Sequence, residues 1–284
     1  MRGIITTMAA LLISGAAMAN DASAPTRDTP TRVVSMNLCT DQLAMMLAGE
    51  GQLMSVSFLA RDPRSSAMVD EAMFYEINYG RAEEIYLMRP DLVLAGAFSG
   101  RATVDLLRRM GVPVAVIPPV LSLEEVPERL VELGTLLGRG AEARAMAARY
   151  EQDLAALRRA IENGPRAVLY EAQGWTAGAN TLTGQILLAA GLQNVAAEMG
   201  YDYGGAMPLE VLAMADPDMV ISSALYDGHS RAEEILLHPV VESFRREGAR
   251  AHMHHSDWVC GTPHVLRAVE RLILDSQPFR QGGD

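Results

Sequence analysis

Lysine is absent from this sequence: all 24 basic residues are arginine, against 35 aspartates and glutamates, for a formal charge of −11. An acidic balance repels nucleic acid and anionic membrane, so neither is expected as a partner; a local arginine patch for an anionic ligand stays open. Aromatic residues are scarce as well, at 5% of the chain, so each is worth placing individually. Only two cysteines occur, Cys39 and Cys260. Common marks of enzyme chemistry are also missing: no Gly-x-Ser-x-Gly turn, no phosphate loop and no helix with two zinc-binding histidines. Cys39 with a distant histidine is the sole nucleophile arrangement, which leaves a Cys- or metal-dependent hydrolase as a remote alternative. The expectation is that the chain is not an enzyme and needs no cofactor. Beyond the first twenty residues, no segment is long and apolar enough to cross a bilayer.

What is present starts with a leader. Met1-Arg2 is a short positive start, an apolar stretch follows to Ala17, and Ala17-Met18-Ala19 is a small-x-small cleavage site before Asn20. That is the layout of a secretory signal peptide, expected over residues 1–19. No cysteine follows the cleavage site, so no lipid anchor is expected, and the mature chain belongs outside the cytoplasm, in the periplasm. There, two cysteines favour a disulfide, although pairing is not readable from sequence. With 284 residues, 49% of them hydrophobic, the chain can bury one large core or two smaller ones.

Strand and helix patterns alternate along the chain, which predicts an α/β layer architecture. Strands are expected at 32–36, 53–58, 91–96 and 112–117, with helices at 41–47, 81–88 and 103–110 between them. Asn37 or Thr40 is placed to cap the first helix. From 123 to 163 the rhythm changes to a long helical stretch interrupted only near Gly134, Gly138 and Gly140. After Gly164-Pro165 the alternation resumes, with strands at 166–170 and 218–222 and helices at 184–190, 208–213 and 265–274. The second half also echoes the first. Met88-Arg89-Pro90-Asp91-Leu92-Val93 and Ala215-Asp216-Pro217-Asp218-Met219-Val220 are the same phrase, and each follows a short helix that opens with a glutamate, Glu83 or Glu210. The expected organisation is therefore an N-terminal lobe at 31–138, an interlobe helix at 139–163 and a C-terminal lobe at 164–284. Both lobes would be Rossmann-like, with a ligand cleft between them.

These residues carry a resemblance. Arg32-Val33-Val34-Ser35, the two Pro-Asp phrases, Gly111-Val112-Pro113-Val114, Gly174-Trp175-Thr176-Ala177-Gly178, His238-Pro239 and Ser256-Asp257-Trp258 follow one another as in a known family. In their order and spacing the chain resembles the periplasmic binding proteins for cobalamin and ferric siderophores, whose lobes are joined by one rigid helix. The resemblance implies a monomeric substrate-binding component of an ABC importer for a bulky metal chelate. Cobalamin or a related corrinoid is the first reading, a ferric siderophore the alternative and heme the third. It implies that Glu83 and Glu210 dock on arginines of the permease; an ordinary solvated glutamate favoured by the helix dipole is the plain alternative.

For the cleft, the resemblance suggests Tyr79, Trp175, Tyr201 or Tyr203, and Trp258, planar side chains that suit the face of a chelate. The alternative for each is a core aromatic, and the cleft is favoured over it for the two tryptophans. Arg61, Arg81 and Arg101 could grip carboxylate or phosphate groups of the ligand, or be solvated surface charges. His264 is the histidine best placed for the cleft. His252, His254 and His255 make no metal site, since no third ligand is indicated, and read as a solvated strand edge. Cys39 stands where the family has a small residue, and Cys260 faces the same cleft in the family fold. A disulfide across the cleft mouth, a pair of soft metal ligands and unpaired structural thiols all remain open.

Overall fold

A computed structural model of the chain describes residues 29–159, 164–225, 228, 230–247 and 249–281. The expected signal peptide lies outside these residues. The first lobe runs β1 (Val33–Ser35), α1 (Leu38–Leu47), β2 (Leu53–Ser57), α2 (Val69–Ala72), β3 (Glu76–Asn78), α3 (Ala82–Leu87), β4 (Leu92–Gly96), α4 (Arg101–Arg109) and β5 (Val114–Ile117). Its strands form one parallel sheet in the order β3-β2-β1-β4-β5. The central strands β1 and β4 are wholly buried, as expected of a parallel sheet covered on both faces. Helix α1 starts earlier than its apolar pattern suggests, because Asn37 rather than Thr40 caps it, its side chain accepting from the Cys39 N–H at 3.1 Å. Thr40 instead turns inward, with its hydroxyl 2.8 Å from that of Ser35.

The long helical stretch is a hairpin of two helices, α5 (Glu125–Leu136) and α6 (Gly140–Arg159). The chain reverses at Gly138, whose φ of 71° suits a residue without a Cβ. The helices pack so closely that a Cβ on Gly134 would come within 2.2 Å of Ala143 Cβ. The Tyr150 hydroxyl donates to the Leu123 carbonyl at 3.0 Å and ties α6 back to the start of the hairpin.

The second lobe runs β6 (Arg166–Leu169), β7 (Trp175–Thr176), α7 (Leu182–Ala189), β8 (Gln193–Asn194), α8 (Val195–Glu198), β9 (Gly205–Ala206), α9 (Leu209–Ala215), β10 (Met219–Ser222), α10 (Pro239–Glu247), β11 (Ala249–His252), α11 (His255–Trp258), α12 (Val265–Asp275) and α13 (Gln277–Gln281). Its main sheet is parallel, in the order β11-β10-β6-β8, while β7 and β9 make a small antiparallel ribbon. One continuous apolar cluster passes from Leu43 in the first lobe through Leu130 and Tyr150 of the hairpin to Leu169, Ile186 and Val269 in the second. The lobes thus share a core, which favours small relative movements over a wide clamp.

The internal echo is also structural. Arg89 and Asp216 both adopt left-handed backbone, φ 51° and 45°, at the ends of α3 and α9 and just before Pro90 and Pro217. Asp91 then accepts from the Thr31 and Arg32 backbone N–H groups at 2.8 and 2.9 Å, and Asp218 from the Arg166 N–H at 2.8 Å. Among the described residues, no helix is long and apolar enough to cross a membrane.

Candidate functional site

In a doubly wound sheet the natural crevice lies beyond the carboxyl ends of the strands, where successive connections part in opposite directions. Here the chain leaves β1 towards β2 and leaves β4 towards β5, so the crevice opens between the ends of β1 and β4. Gly96 ends β4 so close to α1 that a Cβ there would fall 2.7 Å from Asn37 Cγ. A cavity of about 140 Å³ occupies this point, walled by Asn37, Cys39, Ile117 and Arg129 of the first lobe and hairpin and by Val259 and Gly261 of the second lobe.

Cys39 and Cys260 meet beside it in a disulfide, with an S–S distance of 2.11 Å and a Cα–Cα distance of 5.2 Å across 221 residues of sequence. The bond joins the start of α1 to the loop before α12, so the carboxyl ends of the two sheets face each other. A close packing contact and a charge interaction also cross the lobes here. Gly261 lies against Val120, where a Cβ would come within 2.1 Å. His255 has its pKa lowered by burial, partly offset by the negative charge of Asp62 in the first lobe.

The cavity is smaller than the several hundred cubic ångströms that organic ligands usually occupy. On the first lobe, Tyr79 follows β3 and stacks on Phe58, which follows β2, with ring centroids 5.6 Å apart and planes 21° from parallel. Tyr79 is 63% exposed, Phe58 49% and Phe98, just beyond β4, 88%. On the second lobe Trp175 begins β7 and is half-exposed, and Tyr203, in the loop before β9, is exposed. Gly204 lets the loop pass under the indole, since a Cβ there would sit 3.3 Å from Trp175 Cζ2. Phe58 and Phe98 escaped the sequence reading, although Phe58 closes one expected strand and Phe98 stands two residues beyond another, which is the available signal.

The other candidates divide. Tyr201 is half-buried and packs on the smaller core of the second lobe with Tyr170 and Leu212. Trp258 is half-buried in α11 against the main core, edge-on to His255 with centroids 4.6 Å apart, and its buried indole N–H has no partner. His264 stands at the start of α12; its buried Nε2 is unpartnered, and burial, helped by Arg267, lowers its pKa to about 4. Arg61 spends its guanidinium on the backbone carbonyls of Ala72 and Tyr75, at 3.2 and 2.7 Å, which is a structural role. Arg81 and Arg101 are exposed at the starts of α3 and α4. Glu83 and Glu210 are exposed in the first turns of α3 and α9. Asp41 is an acid the sequence did not flag: it is fully buried, bonds the Ser57 hydroxyl, and leaves Oδ1 without a partner. Among the described residues, no three His, Cys, Asp or Glu side chains converge to hold a metal ion.

The fold is shared with a periplasmic heme-binding protein of Roseiflexus sp. RS-1, at a TM-score of 0.70 and 23% identity, covering 87% of this chain and 99% of that one. It is also shared with the periplasmic vitamin B12 binding protein of Vibrio cholerae, at a TM-score of 0.66 and 17% identity, covering 89% of this chain and 99% of that one. By sequence, the chain is 27% identical over 215 residues to a cobalamin-binding protein of Halobacterium salinarum, an alignment that takes in 74% of this chain and 58% of the relative. The chain thus spans little more than half the length of that curated relative. Residues 33–245 match the family described as periplasmic binding protein, a solute-binding and not an enzymatic type. With that match across most of its length, the chain belongs to the periplasmic binding protein family.

Proposed function

We propose that the protein is exported through a cleaved signal peptide at residues 1–19, binds one bulky planar metal chelate in the periplasm and delivers it to an ABC permease. The observation that carries this reading is the exposed aromatic surface at the carboxyl ends of the strands: the Tyr79–Phe58 stack and Phe98 on one lobe, Trp175 and Tyr203 on the other. Large flat rings kept in water at a crevice suit a ligand that is itself large and flat, because they bury much area at little cost in side-chain entropy. A corrinoid is the first choice, in keeping with the name of the Halobacterium relative.

Heme is the second reading, and one observation favours it over a siderophore. The Tyr79 hydroxyl lies on an exposed ring at the end of β3, where a phenolate can reach a ferric iron. The lobes at 31–138 and 164–284, joined through α6 (Gly140–Arg159), supply one wall each. Glu83 and Glu210 supply one docking carboxylate each, and two separated charges fix orientation on a basic partner more than they add affinity. The protein acts as a monomer.

A strain lacking the protein tests the role. Uptake of labelled cyanocobalamin should fall to the background level and return with the wild-type chain. Uptake of heme alone falling would move the assignment to the second reading; unchanged uptake of cobalamin, heme and ferric siderophores would overturn the transport role.

A further inference from the structure

Helices α3 and α9 match position by position. Glu83 and Glu210 stand in the first turn, Ile85 and Leu212 are fully buried two residues on, and Leu87 and Met214 follow two residues later. Leu87 is 78% exposed and Met214 76%. Residues four apart share one helix face, so each lobe presents a carboxylate and, one turn along, a large apolar side chain on the same strip. A single exposed leucine or methionine is ordinary and means nothing. The pairing means more because the intervening exposed positions have diverged: Tyr86 in one helix is matched by Ala213 in the other. Both helices are also held rigidly at their far ends, where the Arg32 side chain bonds the Met88 and Arg89 carbonyls and that of Arg166 bonds those of Ala215 and Asp216.

We propose that Leu87 and Met214 are paired apolar anchors of the docking surface, each entering an apolar socket beside the basic residue that receives Glu83 or Glu210. The partner is a membrane permease built from two like halves, because one arrangement repeated on two lobes calls for a socket and a cation repeated on the partner. The proposal rests on the docking reading of the two glutamates. Apolar anchors at the centre of an interface carry binding, while neighbouring charges set register and rate.

Photo-crosslinking on the full chain tests it. Benzoylphenylalanine at position 87 or 214 should label the same ABC permease polypeptide in membranes of the producing cell. Leu87→Ser and Met214→Ser should each weaken docking to that permease in nanodiscs about tenfold, a loss of about 1.4 kcal/mol, with the thermal midpoint unchanged. Serine variants that dock as tightly as wild type, while Glu83→Arg and Glu210→Arg do not dock, would overturn the anchors and leave the docking glutamates standing. If all four variants dock normally, both readings fall. Adducts with a second copy of the chain, or with no permease at all, would also overturn the proposal.

Discussion

Arg32 and Arg166 perform the same task in the two lobes: each reaches from the start of its lobe's first strand, Arg32 just before β1 and Arg166 opening β6, to two carbonyls that end a glutamate-bearing helix. Those carbonyls have no partner within the helix, and they form its negative pole, so a guanidinium satisfies both needs. Pro90 and Pro217 stop the helix from continuing and leave the arginine as the cap. Arg32→Met and Arg166→Met should each lower stability by about 1 kcal/mol, since these bonds are partly solvent-screened. Arg166→Met should cost more, because Arg166 also pairs with Glu198 at 2.7 Å. Urea unfolding of both variants measures this, and an Arg166→Met curve that overlays wild type would contradict it.

The Cys39–Cys260 bond closes a loop of most of the chain and links the lobes at the crevice. Removing it with the double variant Cys39→Ser, Cys260→Ser should cost about 3 kcal/mol, most of it through a freer unfolded chain. The same fall in thermal midpoint should appear when the wild type is reduced with dithiothreitol. A midpoint indifferent to reductant would mean that the two thiols are not joined in solution.

Asp41 should impose a pH dependence. Burial, opposed by bonds from Ser35 and Ser57, pushes its pKa up to about 7 from an ordinary 3.8. Between those values the folded state holds a proton that the unfolded state has lost, so stability falls as pH rises through the window, by about 1.4 kcal/mol per pH unit at most. Below the window both states are protonated and the effect vanishes. Asp41→Asn removes this term, so the variant should gain on wild type between pH 4 and 7 and keep the gain above pH 7. Urea unfolding at pH 4, 6 and 8 checks the sign; a gap between the two proteins that does not change with pH would rule the assignment out.

Glu83→Arg and Glu210→Arg should each abolish stimulation of the permease ATPase while leaving ligand affinity as it is, since both carboxylates are exposed in the first turns of α3 and α9. The ATPase rate with and without the variant proteins tests this. Loss of ligand affinity in either variant would place that glutamate in the binding site instead.

Much of the fold was legible, and the reasons for the gaps are physical. The parallel strands announced themselves as short apolar runs, and the two Pro-Asp phrases marked equivalent helix ends before the left-handed geometry of Arg89 and Asp216 was seen. The helical hairpin was not legible as a hairpin, because apolar spacing continues on both sides of Gly138 and a turn leaves only a glycine to mark it. Strand β3 was too short to show a period. The site was read less well. Long-range partners decide side-chain roles: Arg61 looked like a ligand clamp until the carbonyls of Ala72 and Tyr75 took its guanidinium. Tyr201 and Tyr203 were indistinguishable in sequence, yet one packs on Tyr170 and Leu212 and the other stands in solvent. Burial of Asp41 depends on residues brought together by the sheet, and nothing local to it carries that information.

The central claim is that a flat metal chelate lies on the crevice aromatics, and tryptophan fluorescence tests it most directly, because Trp175 and Trp258 are the only tryptophans. The mature protein should bind one cyanocobalamin per chain with micromolar or tighter affinity and lose most of the emission of half-exposed Trp175. Trp175→Phe should remove that quenching and weaken binding about tenfold or more. A heme response in place of the cobalamin one would keep the site and change its ligand. Unaltered Trp175 emission on titration with cobalamin, heme and ferric siderophores would contradict the account.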